Sequence, residues 1–253
     1  MTMDFKKLKN PPIKEVVIAL GVSKLFENIS ELAPVSQYLS TMFKERKESF
    51  KRDIVVDDNN VKDTKLLNGY MFISENKKEF FNLEGNRIAF TSREPYTSFD
   101  VFFDKFAAIL EGVLENKKDI MFDKKIALRY LNIFNVSIST ELEKILKFLP
   151  NFATQLDGQY YAGLGNFTGV FDLSNNDPIA KANARVNLVL RPLPLKGSQD
   201  LAKLSIIFDI DTSKQIEEIT LDKIKENLKN LKDFKNQIFF SNINTNLIGD
   251  FNE

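Results

Sequence analysis

Residues 125–134 read KIALRYLNIF. Apolar side chains at every second position predict a strand, yet Arg129, Tyr130 and Asn132 crowd its middle. Successive side chains of a strand point to opposite faces. Arg129 therefore shares a face with Ala127, Leu131 and Ile133, while Tyr130 and Asn132 share the other with Leu128, Phe134 and Val136. A charge on an apolar stripe is costly unless it is paired. A phenol and an amide among apolar neighbours need hydrogen-bond partners.

Residues 13–22, IKEVVIALGV, make a second strand of the same kind, and Pro11 and Pro12 set its start. Aligned with the first, it brings Glu15 against Arg129, and Ile13, Val17 and Ala19 against Ala127, Leu131 and Ile133. If the two strands are neighbours, Glu15 and the planar fork of Arg129 can meet as a pair.

The elements downstream of each strand fix the fold class. Beyond the N-terminal one, Pro34 opens a helix with Val35, Tyr38, Leu39, Met42 and Phe43 at spacings of three and four. It is expected to run out in the charged stretch 44–53, KERKESFKRD, before a polar loop at 57–65. Short strands at 66–74, 78–83 and 87–92 come next, the last turn drawing a positive φ from Gly85 or Asn86. Ser98 then caps a helix with a stripe from Phe99 to Leu114. Beyond the mid-chain strand, Thr140 and Glu143 form a capping box for a short helix stopped by Pro150. Strands are expected at 158–173, 183–192 and 201–211, and a last helix begins near Thr220. Lys223, Lys225, Lys229, Lys232 and Lys235, interleaved with acids, read as its solvated face.

The order strand, helix, three strands, helix thus occurs twice. This predicts an α+β fold of two pseudo-repeated β-α-β-β-β-α lobes, 1–119 and 120–253, integrated into one unit. Together they would form a broad, mainly antiparallel curved sheet with helices packed on one face.

Composition narrows the chemistry. The 253 residues include 35 basic and 35 acidic side chains, so a dedicated nucleic-acid binder is disfavoured. Without Cys or His, thiolate metal sites, disulfides and His-activated nucleophiles are excluded. No cofactor is expected. The start of the chain, MTMDFKKLKN, has no apolar run behind it, and no window reaches the length of a membrane span. A cytoplasmic location away from membranes is expected.

Three constellations remain. Lys44, Arg46, Lys47, Lys51 and Arg52 are a candidate anion-binding patch. In FDID, 208–211, Asp209 and Asp211 share a face, and with Asp172 they are a candidate Mg²⁺ site for phosphoryl transfer. Alternation with Phe208 and Ile210 equally suits a solvent-facing row. GLGNFTG, 163–169, lacks the Lys-Ser/Thr of a phosphate loop.

NPPIKEVVIAL near the start, ALRYLN mid-chain and IFFSNI after the last helix resemble the signature of a sporadically distributed bacterial family of uncharacterised proteins. Pro11, Pro12, Ile13, Glu15, Leu128, Arg129, Tyr130 and Asn132 carry the resemblance, and Ala127 departs from it where a smaller residue such as Gly is the pattern. The resemblance implies no established activity. Its patchy occurrence implies immunity, antitoxin or phage-defence biology. The expected function is a non-enzymatic module that binds another protein through Glu15, Arg129, Tyr130 and Asn132 or the basic stretch. The alternatives are a Mg²⁺-dependent phosphoryl-transfer enzyme or nuclease, and a nucleic-acid-binding saddle. The oligomeric state is open, with a dimer compatible.

Overall fold

The computed structural model of the protein describes residues 11–57, 60–93, 96–137, 167–174, 182–194 and 201–243. The elements in chain order are β1 (Ile13–Lys24), a 3-10 turn (Ile29–Leu32), α1 (Ala33–Leu39), β2 (Glu45–Asp57), β3 (Asn60–Ile73), β4 (Glu79–Glu84) and β5 (Arg87–Arg93). After these come α2 (Phe99–Asn116), β6 (Met121–Ser137), β7 (Phe167–Ser174), β8 (Asn183–Pro194), β9 (Leu201–Gln215) and α3 (Leu221–Asn242). The fold is α+β: one antiparallel sheet of nine strands in the order β2-β3-β4-β5-β1-β6-β9-β8-β7. The two strands that open the halves of the sequence, β1 and β6, are neighbours in it. No described helix is long and apolar enough to cross a membrane.

The chain divides into two compact units. One comprises Glu15–Leu128 with Gln215–Leu228; the other comprises Met1–Lys14, Arg129–Lys214 and Lys229–Glu253. The division falls within β1, β6 and α3, and before the last residue of β9, instead of between residues 119 and 120.

In the first unit, register aligns Ile18, Phe90, Phe81 and Phe72 across β1, β5, β4 and β3. All four are fully buried, each worth roughly 1.5–3 kcal/mol relative to exposure. The stripe on α2 covers them, with the Phe102 ring stacked 5.1 Å from Phe90. Ser98 caps α2 as its sequence predicts, its Oγ accepting from Val101 N at 3.2 Å. Tyr38 of α1 lies against Gly112 of α2, where any side chain would overlap its ring.

Several expectations change. Residues 44–53 do not extend a helix: from Glu45 they are the edge strand β2, paired with β3 from Glu45↔Ile73 to Asp57↔Asn60. The same pairing puts residues 60–65 of the expected loop at the start of β3. Mixed charge reads as a solvated helix end, but it serves an edge strand equally well, since charges there discourage pairing with another chain. A bulge between Ser49 and Phe50 faces Gly69, whose φ of 147° and closeness to the Leu83 carbonyl admit no side chain. The β4–β5 turn does not draw a positive φ from Gly85 or Asn86; it is Lys77, in the turn before β4, that has φ 57°.

The first half therefore runs strand, helix, four strands, helix, and the twofold repeat of element order is not found in it. The expected helix after Thr140 and the residues 158–166 of the expected strand lie outside the described residues.

In the second unit, Phe134, Leu188, Ile206, Phe208 and Ile210 form a core with Ile238 and Phe239 of α3. The Phe208 and Phe239 rings are 5.9 Å apart.

Candidate functional site

β6 answers the question that its sequence poses, because its two faces meet different surroundings. Tyr130 and Asn132 lie on the face packed with α3 and are 1% and 2% exposed. Asn132 Nδ2 donates to the carbonyl oxygen of Phe208 at 3.0 Å and to that of Tyr130 at 3.5 Å. The amide nitrogen is thus spent on the strand backbone. The Lys235 Nζ sits 4.1 Å from the Tyr130 ring centroid.

Arg129 points the other way. Its Nε and Nη2 donate to Asp209 Oδ1 at 2.8 Å and Oδ2 at 2.9 Å. Asn187 Nδ2 donates to the same Oδ2 at 3.3 Å. The Asp209 side chain is only 10% exposed and that of Arg129 is 41% exposed, so the acid is the buried anchor and the guanidinium the visible part. Leu131, Ile133, Val189 and Ile207 share this face and are partly exposed. Further along, Arg185 Nε donates to Asp172 Oδ1 at 2.9 Å, and that bond holds the Asp172 carboxyl below its ordinary range. Asp211 lies opposite Arg185 in the β8–β9 register.

Glu15 belongs to the first unit and accepts from Arg93 Nε at 2.9 Å, while the Arg93 guanidinium lies 4.6 Å from the Phe80 ring centroid. Each member of the expected Glu15–Arg129 pair thus has a partner within its own unit.

The acidic trio does not gather as a metal site. Asp209 and Asp172 are each committed to a guanidinium, and among the described residues no three acidic side chains are grouped as metal ligands. The basic stretch is dispersed as well. Lys44 pairs with Glu75, and Arg46 Nη1 donates to Ser36 Oγ at 2.8 Å while lying 4.8 Å from the Tyr70 ring centroid. Lys47 pairs with Glu45 at 3.4 Å, and Lys51 and Arg52 are exposed. Alternation along β2 sends Arg46 and Lys47 to opposite faces, so these cations make no single patch.

Two lysines escaped the sequence reading. Lys235 belongs to the expected solvated face of the last helix but is 8% exposed. Burial first, then repulsion from Lys232, brings its pKa down to about 7. The signal was its spacing, four residues after Leu231 and three before Ile238. Lys117, at the end of α2, is the other. Its Nζ donates to Glu31 Oε2 at 3.1 Å and to Asp119 Oδ1 at 2.9 Å, with only 5% of the side chain exposed. Nothing in the local sequence announces that clip, because Glu31 is remote in the chain. No protein-family model matches the chain, and no curated protein sequence matches it.

Proposed function

We propose that the protein is a non-catalytic binding module for another protein, and that its contact surface is the face of β6, β8 and β9 carrying Arg129. The observation that supports this most is the half-exposed guanidinium held on the nearly buried Asp209, beside the partly exposed Leu131, Ile133, Val189 and Ile207. A pre-ordered Arg among aliphatic side chains is the composition of an interface hot spot. Its bidentate hold on Asp209 limits the ordering cost that a partner must meet. Two of the three acids that phosphoryl transfer would use, Asp209 and Asp172, are paired with Arg129 and Arg185, which argues against the Mg²⁺ reading. An immunity, antitoxin or phage-defence role is the context that the family resemblance suggests.

The test places a photo-crosslinking amino acid at Leu131 and, as a control, at Lys78, in the native host. A partner captured only from position 131 is then purified and titrated calorimetrically. Arg129→Ala and Leu131→Asp are expected to weaken it at least ~10-fold while circular dichroism stays unchanged. Equal capture from both positions, or affinity indifferent to both substitutions, would remove this face from consideration. Retention on heparin at moderate salt would favour a nucleic-acid partner instead.

A further inference from the structure

Lys235 is an ammonium-bearing side chain at a core position. It lies on the face of α3 that also buries Leu231, Ile238 and Phe239. It has no hydrogen bond or ion pair among the described residues, and its contact is the face of the Tyr130 ring at 4.1 Å. Tyr130 is itself 1% exposed, so the amine sits over a buried ring between α3 and β6.

The charged neighbours are few. On α3 itself they are Lys232 and Asp233. On β6 the facing titratable group is the Tyr130 phenol, and Asn132 beside it is neutral. The buried side chains that β8 and β9 turn toward α3 include Leu188, Leu190, Ile206 and Phe208, all apolar. The ionisable group on that face of β9 is Lys214, six residues along from Phe208. An aromatic face recovers only part of what a lysine loses on leaving water without a carboxylate.

We propose that Lys235 is a protonation-controlled latch: as the neutral amine it lets the part of α3 after Lys229 seat on β6, and as the ammonium it loosens that seat. Burial and Lys232 hold its pKa near 7, against the ordinary 10.5, with Asp233 opposing them. Once that part of α3 lifts, the amine is in water and regains its ordinary proton affinity. The lifted state then binds more protons, so lifting becomes easier as pH falls from about 10 to about 7 and levels off below.

Hydrogen exchange followed by mass spectrometry on the full chain tests this at pH 9 and pH 7, with α2 as the internal reference. After correction for intrinsic rates, wild-type protection across 229–242 is expected to fall roughly 50-fold between the two pH values, while α2 and the same segment of Lys235→Met stay level. Equal protection at both pH values, or the same fall in Lys235→Met, would overturn the latch. The wild-type Lys235 Nζ followed by nitrogen NMR decides the matter even if the variant fails to fold. Titration near 7 supports the latch, and titration near 10 overturns it.

Discussion

Asp209 and Arg129 are unequal partners, and the inequality has a measurable sign. Removing Asp209 leaves a guanidinium that is already 41% exposed and can turn to water. Removing Arg129 leaves a carboxylate that is 10% exposed with Asn187 as its remaining side-chain donor among the described residues. Arg129→Ala should therefore cost more than Asp209→Ala, about 2–4 kcal/mol against about 1–2 kcal/mol. Urea unfolding monitored by circular dichroism checks the order; equal or reversed costs would mean that Asp209 is not the desolvated member. At this scale the sequence was partly legible. Alternation in KIALRYLNIF assigns Arg129 to one face and Tyr130 and Asn132 to the other, and the described contacts keep that assignment. Partners were less legible, because those of Arg129 and Asn132 come from β9, 80 and 76 residues on, and that of Tyr130 from α3.

At the scale of elements, α1 and α2 interlock through a missing side chain. Gly112 sits mid-helix, where alanine ordinarily stabilises by about 1 kcal/mol. Here a methyl would overlap the Tyr38 ring, whose hydroxyl donates to the Ala108 carbonyl at 3.4 Å. Gly112→Ala is expected to destabilise by about 1–3 kcal/mol, and adding Tyr38→Ala should return part of the loss in thermal unfolding.

The Lys117 clip joins the 3-10 turn to the end of α2, and it predicts a pH dependence. The Asn28 backbone N–H first, then Lys117, hold Glu31 below its ordinary 4.5, and the bond from Lys117 does the same for Asp119 below its ordinary 3.8. Such stabilisation is present above those ordinary values and is lost as pH falls through the lowered ones. Between pH 6 and pH 3 the urea midpoint of wild type should drop more steeply than that of Lys117→Met. Parallel slopes would show that the clip contributes nothing to acid stability. Helices with long apolar stripes, such as α2, were plain in the sequence. The strand β2 was not, since the charges of an exposed edge and those of a solvated helix end look alike.

Across the whole molecule, strand order decides what opens first. β5, β1 and β6 are flanked on both sides, whereas β2 and β7 are the outer strands. Amide protection measured by exchange should therefore be highest in β5 and β1 and lowest in β2 and β7. Strong protection of β2 would instead indicate that another chain covers its edge. The α+β class was legible from element order and apolar runs; the strand order, including the neighbouring of β1 and β6, was not. The extra strand in the first half was hidden, because a β-hairpin with a polar tip is locally indistinguishable from a loop.

β1, β6 and α3 each contribute residues to both compact units. Cutting the gene at its midpoint would therefore not yield two self-sufficient pieces. A fragment ending at residue 119 lacks Met121–Leu128 and Gln215–Leu228 of the unit it mostly encodes, and its complement lacks the strand that begins the chain. Each piece would be an orphan alone and a mate for the other, which makes this chain a natural starting point for a split reporter whose signal depends on reunion.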